Sequence, residues 1–377
     1  MAIVHYWLVT WRGGENVVRS MLRLFPDADI YTLFHDPGLC STQLPGRRIY
    51  GSCLDIGPLR RRHQAVFPLY PSGIRSLRLR RPYDLVISSE SGPAKGIRIP
   101  EGTPHLCYVH TPMRYCWGFT DDYLKVIPAW ARPLAARAFE RLRRWDVTTV
   151  DNVDRYVANC HNVAKRVGQY YGREAGVCHP PIALSLFDPA YPESRRTAAA
   201  TGHYLSFGAL TPYKNVDLLI EAFRALPDRT LRIVGEGSER SRLEAQAGPN
   251  VEFLGELPWS DIHALILGAR ALLFPGEEDF GMIPLEVMAH GTPVIAYGKG
   301  GALETVVDGV GDPGRGTGLF FEEPTVACLL ESIRRFETLE SRFDPLFIAA
   351  HARAFGEDHF LATFEGEVRA VLSGGAR

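Results

Sequence analysis

The chain has 377 residues, of which 46% are hydrophobic and 23% charged, and its formal net charge is −1. That length exceeds a single hydrophobic core, so two domains are expected, and the composition excludes a disordered or fibrous chain. No apolar run approaches the roughly 18 residues that span a bilayer, and seven scattered cysteines without a C-x-x-C pair point to free thiols in a reducing cytoplasm rather than to zinc.

The opening MAIVHYWLV lacks a basic start and a cleavage site. It reads as a buried strand, Ile3–Val9, not as a signal peptide. Arg12-Gly13-Gly14-Glu15 follows and opens a helix. Glycines there let backbone approach a phosphate or an acceptor hydroxyl, although a tight turn alone also explains them. Further apolar strands stand at Ile30–Leu33, Leu85–Ser88, Leu106–Val109, Tyr156–Ala158 and Gly176–Cys178. Helical periodicity appears after Glu15, around 60–80, across 128–145 and over 161–171. Ser88–Gly96 (SSESGPAKG) carries Lys95, a candidate phosphate or acceptor contact. Cys107–Trp117 (CYVHTPMRYCW) places His110 at the carboxyl end of a strand, with Arg114 and Trp117 as acceptor-side candidates. A lone histidine is more often a satisfied structural group.

Net charge hides an asymmetry. Residues 1–190 hold 25 Lys+Arg against 16 Asp+Glu, and the remainder holds 17 against 27. Arginines cluster at 60–62, at 75, 78, 80 and 81, and at 132, 137, 141, 143 and 144, interleaved with Trp130, Leu134, Phe139 and Trp145. Such basic amphipathic segments lie on anionic membrane surfaces, or they are solvated faces of helices packed on their own domain.

Residues 185–203 are polar and rich in small residues and read as a linker. The pattern then restarts, with strands at Tyr204–Phe207, Leu231–Val234, Val251–Leu254, Ala271–Phe274 and Pro293–Ala296, and helices such as Val216–Ala225 and Asp261–Leu267 between them. Strands alternating with helices imply parallel sheets with right-handed crossovers. Residues 344–372 are strongly helical. The expected domains are 1–190, 200–343 and a helical return at 344–377.

Three stretches of this second half carry chemistry. In 204–224 (YLSFGALTPYKNVDLLIEAFR) Lys214 follows a strand and its loop, where an ammonium can reach a diphosphate. In Ile233–Gly237 (IVGEG) a glycine pair follows a strand. In 271–306 a strand ends at Pro275-Gly276, Glu278 follows, Phe280-Gly281 opens a helix bearing Glu286, and a second strand leads to Gly298, Gly300 and Gly301. Ligands of open α/β sheets bind beyond the carboxyl ends of strands, and helix starts offer free N–H groups to anions. Two hydroxyl-binding carboxylates beside a phosphate cradle suit a sugar nucleotide.

The set Glu278, Phe280, Gly281, Glu286, Ala289, Gly291, Pro293, Val294 resembles the donor-sugar signature of retaining GT-B glycosyltransferases of family four. The phrase HTPMRYCW resembles a subset of bacterial polysaccharide mannosyltransferases. The resemblance implies two Rossmann-like domains with parallel sheets facing a cleft, and the last helices crossing back to the first domain. It implies His110, Glu278 and Lys214 as catalytic residues. Donor contacts would come from Gly14, Gly208, Lys214, Gly235, Glu278, Phe280, Gly281, Met282, Ile283 and Glu286, with Gly13, Lys95, Arg114 and Trp117 on the acceptor side. Ala209 stands where the family has an arginine, which leaves one phosphate cation missing. No metal or cofactor is implied beyond the nucleotide-sugar donor, GDP-mannose or a UDP-sugar. The acceptor would be a glycan or polyprenyl-linked glycan, and the setting cytoplasmic, at the inner face of the plasma membrane through the arginine clusters. No nucleic acid is implied. The alternatives are a UDP-sugar-dependent transferase with a soluble acceptor, a GT-B epimerase or phosphorylase, and a non-catalytic sugar-nucleotide-binding protein.

Overall fold

A computed structural model describes residues 1–125, 127–197 and 202–374. The chain forms two compact units, Met1–Pro181 together with Asp358–Arg377, and Ile182–Glu357.

The first unit is built on seven parallel strands: β1 (Ala2–His5), β2 (Asp29–Thr32), β3 (Ile49–Gly51), β4 (Val86–Glu90), β5 (His105–Val109), β6 (Arg155–Ala158) and β7 (Ala175–Val177), in the order β3-β2-β1-β4-β5-β6-β7. Side chains alternate across the sheet. Ile3, Ile30, Ile87 and Leu106 therefore join one buried layer with Val17, Val18 and Met21 of the helix Gly13–Leu24. Phe360, Phe364 and Val368 of the terminal helix Glu357–Ser373 complete it. Ala2, Val4, Tyr31, Leu33 and Val86 face the other way, against Tyr70, Ile74 and Leu77.

The second unit has six parallel strands: β8 (His203–Phe207), β9 (Leu231–Val234), β10 (Val251–Gly255), β11 (Ala269–Phe274), β12 (Val294–Tyr297) and β13 (Gly318–Phe321), in the order β10-β9-β8-β11-β12-β13. In each sheet the order reverses once, between β1 and β4 and between β8 and β11. Crossovers leave these neighbours in opposite directions, which opens a crevice at their carboxyl ends.

Several local expectations change. β1 ends at His5, because from Tyr6 onward the regular ladder gives way to single links, the Leu33 N–H donating to the Tyr6 carbonyl at 3.2 Å and Leu8 bridging to His35. The helix expected over 60–80 is broken into Gly57–Arg60, His63–Leu69 and Tyr70–Ser76. Pro68 and Pro71 interrupt its hydrogen bonds. The supposed linker contains a helix. Ala190–Thr197 is helical, and the Arg195 guanidinium donates to the carbonyls of Leu267, Ala269 and Arg270. The chain passes between units near Pro181 and again near Glu357. The helix Pro345–Arg353 accordingly belongs to the second unit, not to the returning segment that sequence placed from 344 onward.

Candidate functional site

In the second unit, the loop after β8 carries Gly208, Ala209 and Lys214, and the loop after β11 carries Glu278. A small crevice is lined by Gly208, Ala209, Leu210, Lys214, Phe274 and Gly276. The Lys214 Nζ donates to Glu278 Oε1, and both side chains keep some exposure, 13% and 17%. Asn215 adopts a left-handed φ of 50° and donates to the Pro275 carbonyl, which ties the two loops together.

Glycines lock this arrangement at the backbone. A Cβ on Gly235 would lie 2.0 Å from the Gly208 carbonyl oxygen, and one on Gly276 would lie 3.0 Å from Lys214 Cα. Gly300 and Gly301 close over the Glu278 loop. The Gly301 N–H donates to the Glu278 carbonyl at 2.8 Å, and a Cβ on Gly301 would sit 2.3 Å from Phe280 Cα. Only glycine permits approaches this close.

Gly281, at φ 79°, starts the short helix Met282–Met288, which holds Glu286. Burial, then the charge of Glu278, pushes the Glu286 carboxyl up to about 7, while Lys214 opposes the shift. Ile283 Cδ1 lies 2.9 Å from where a Cβ of Gly208 would be, so Ile283 covers that glycine. Met282 and Ile283 are half-buried. Phe280 is 3% exposed, with its ring 6.0 Å from that of Phe355. It anchors the loop from within the core rather than offering a surface to a donor. Gly235 likewise acts through packing.

In the first unit a second group gathers at the β1/β4 crevice. Around Gly14, a Cβ would meet Tyr6 Oη at 3.0 Å, His110 Nε2 at 3.7 Å and His5 Cε1 at 3.7 Å. Gly13 is the first residue of the helix, and the Arg12 N–H before it donates to Glu15 Oε2 at 3.0 Å. His110 follows β5, and its Nε2 lies 2.8 Å from Ser89 Oγ, which lies 3.0 Å from His5 Nδ1. His110 keeps some exposure, yet burial and then His5 depress its imidazole to about 3, so it is neutral. Sequence reasoning missed Tyr6, His5, Ser89 and Glu15. The signal was there: His5 and Ser89 are polar residues inside apolar strands.

The acceptor-side expectation for Lys95 is corrected, while Arg114 and Trp117 are half-buried. Lys95 is fully buried, its ammonium held by Asp146, by Glu90 at 3.4 Å and by the Tyr171 hydroxyl at 3.3 Å. A buried ammonium needs such partners, and it has no surface to offer an acceptor. Trp117 belongs to the same cluster, donating from Nε1 to Asp146 at 2.8 Å and stacking on Tyr170 at 4.8 Å. The Arg114 guanidinium lies over the Phe119 ring.

The arginine clusters also differ from one another. Arg60 pairs with Asp55, Arg81 with Asp29, and Arg80 lies over Tyr50. The helix Arg132–Val147 presents Arg137 and Arg141 on its exposed side, with Arg144 paired to Glu140 at 3.1 Å, and in the same stretch Leu134 is 70% and Trp130 85% exposed. Among the described residues no helix is long and apolar enough to cross a membrane. The cysteines are all free thiols.

Comparison with known proteins agrees with this fold. Residues 11–186 match the family model described as Glycosyltransferase Family 4, and residues 193–347 match that described as Glycosyl transferases group 1. The chain is 32% identical over 231 residues to a GDP-mannose-dependent monoacylated alpha-(1-6)-phosphatidylinositol monomannoside mannosyltransferase of Corynebacterium glutamicum, covering 54% of this chain and 56% of that protein. It is 29% identical over 181 residues to the D-inositol 3-phosphate glycosyltransferase of Mycobacterium tuberculosis, covering 43% and 37%. The matches thus span about half or less of those relatives. Among solved structures, a sucrose-phosphate synthase from Thermosynechococcus elongatus superposes with a TM-score of 0.74 at 18% identity, covering 99% of this chain and 100% of that one. The Anabaena protein HepE, in complex with UDP and glucose, gives 0.67 at 18% identity, covering 99% of each. At that identity the likeness speaks for the fold. Two doubly wound parallel sheets, with family models matching most of each, make this chain a GT-B glycosyltransferase of the group 1 and family 4 type.

Proposed function

We propose that the enzyme transfers mannose from GDP-mannose to a glycan or polyprenyl-diphosphate-linked acceptor, with retention of configuration and without a bound metal. The observation that carries the reading is the set of Lys214, Glu278 and Glu286 at the β8/β11 crevice, one ammonium and two carboxylates held by a glycine-locked backbone. Glu278 binds hydroxyls of the donor sugar, and Glu286 accepts from the ribose. The Lys214 ammonium meets charge on the departing phosphate, with backbone N–H groups. It leaves Glu278 to do so, which frees that carboxylate for the sugar. His110 hydrogen-bonds the transferring sugar. The acceptor oxygen attacks C1 on the face the phosphate leaves. The C1–O phosphate bond breaks as the new C1–O bond forms, and the departing phosphate oxygen takes the acceptor proton. The mannosyltransferase relative supports the choice of sugar and base. With Ala209 in the arginine's place, Lys299, paired with Glu277 at 3.1 Å on the neighbouring loop, is the second cation we assign to the diphosphate.

Thermal-shift titration with GDP, UDP, ADP and their sugars tests the donor, because a ligand of the native state raises apparent stability. Stabilisation by UDP or ADP compounds alone sinks GDP-mannose. An inverted anomeric product sinks retention.

For location, we assign the exposed side of Arg132–Val147 to an anionic membrane surface. Trp130 and Leu134 supply interfacial anchors, and each arginine near such a surface contributes about 1 kcal/mol. This suits a lipid-linked acceptor.

A further inference from the structure

His110 is not held alone. A line of buried polar groups runs behind it: His110 Nε2 to Ser89 Oγ at 2.8 Å, Ser89 Oγ to His5 Nδ1 at 3.0 Å, and His5 Nε2 to Glu15 Oε1 at 3.9 Å. His5 and Ser89 are fully buried and Glu15 is 1% exposed. The line draws on β1, β4, the helix Gly13–Leu24 and the residue after β5. Glu15 is fixed at its far end, because its other oxygen accepts the Arg12 N–H.

A hydroxyl has one proton, so Ser89 donates to one histidine and accepts from the other. Which way the line runs is set at the Glu15 end. His5 Nε2 has no hydrogen-bond partner within bonding distance. A lone pair there would face a carboxylate, whereas an N–H would be attracted to it. The proton on His5 therefore sits on Nε2, and Nδ1 accepts from the Ser89 hydroxyl. The Ser89 oxygen then accepts from His110, which must carry its proton on Nε2. The tautomer of an imidazole is set by the bond its other nitrogen makes, and here the choice passes through two intermediates.

We propose that Glu15, His5 and Ser89 are positioning residues that hold His110 as the Nε2–H tautomer and present its Nδ1 lone pair to a hydroxyl of the transferred sugar. The inference rests on the reading of His110 as a sugar contact and sharpens it. An acceptor nitrogen pairs with a sugar hydroxyl, which can donate, and not with an unprotonated phosphate oxygen, which cannot. The same line keeps the ring oriented beside Gly14, where a larger residue would press on Tyr6 Oη.

Nitrogen-15 histidine labelling of the full chain, with His110→Gln to assign the signal among twelve histidines, reads the tautomer directly. The expected spectrum shows a protonated Nε2 and a bare Nδ1. In Glu15→Gln and Ser89→Ala, each checked for an unchanged melting profile, His110 becomes a mixture of tautomers, and kcat/KM falls by roughly threefold to tenfold, the scale of one lost hydrogen bond. Glu15→Gln is nearly isosteric and keeps the test alive if Ser89→Ala fails to fold. A proton on Nδ1 in the wild type, or an unchanged tautomer in both variants, overturns the relay. Wild-type kinetics for His110→Ala would instead overturn the sugar contact beneath it, whatever tautomer the spectrum shows.

Discussion

Glu286→Gln should make the protein more stable and a worse enzyme, and the first effect should depend on pH in a set direction. Burial and Glu278 raise the Glu286 carboxyl from 4.5 to about 7 in the folded state. Below 4.5 both folded and unfolded chains hold the proton, and no penalty exists. As pH rises from 4.5 to about 7 the unfolded chain releases its proton first, so stability falls across that window. Above about 7 the loss is complete. At 1.36 kcal/mol per pKa unit it amounts to about 3 kcal/mol at most, less what residual solvent contact relieves. Glutamine cannot ionise and carries no such loss. For a unit of this size, about 2–4 °C per kcal/mol puts the gain in melting temperature at roughly 6–12 °C at pH 8, shrinking towards zero at pH 5. Calorimetry of both proteins at the two pH values measures it. An equal gain at both pH values, or a loss at pH 8, would refute the electrostatic account. The second effect follows from the same carboxylate. If it accepts from the ribose, a charge-assisted bond of about 1.5–3 kcal/mol disappears, and the donor KM rises by about ten- to hundredfold at pH 8. In the wild type the donor KM should also fall as pH rises through about 7, because the carboxylate form then predominates. Glu286→Gln should flatten that profile.

Four further outcomes are expected. Glu278→Gln should lower kcat more than it raises donor KM, since its partner is the reacting sugar; unchanged kcat/KM would remove Glu278 from the site. Gly301→Ala should cut kcat/KM by about tenfold or more, because its Cβ would collide with the Phe280 backbone beside Glu278, whereas Gly311→Ala, which meets nothing within 4 Å, should be silent. Activity should survive EDTA; loss on chelation, restored by Mg²⁺ or Mn²⁺, would overturn the metal-free reading. Trp130→Ser with Leu134→Ser should abolish co-sedimentation with anionic vesicles at low salt, and a wild type that ignores such vesicles would make the helix a solvated face.

Much of the fold was legible because the strands are short apolar runs bounded by turns. Eleven of the thirteen strands among the described residues overlap segments read from sequence, and the two missed ones show why. β3 is half-exposed Ile49–Gly51 at a sheet edge, and β13 is Gly318–Phe321, an apolar stretch with no distinguishing punctuation. Edge strands carry little periodic signal. The segment 190–197 looked like a linker because its composition is polar. Its helix is secured by distant partners: Arg195 donates to three carbonyls some 72 to 75 positions away, and Tyr191 stacks on His290.

The site shows the same divide between local and distant causes. Lys214, Glu278 and Glu286 come together as expected because they follow strand ends, where local pattern and topology coincide. Lys95 was misread for the opposite reason. Its loop, SGPAKG, looks like any exposed glycine-bearing turn, and nothing within it forecasts burial. The group that takes its charge inward is Asp146, 51 residues later on the helix Arg132–Val147, together with Tyr171 a further 25 on. The same carboxylate also claims Trp117. That aspartate thus withdraws Lys95 from any acceptor role, while His110, in the strand-end loop that follows in sequence, keeps some exposure with its Nε2 held by the neutral Ser89 hydroxyl. A charged side chain buried against opposite charge is spent on the fold. A neutral one tethered through a single atom is still available for chemistry.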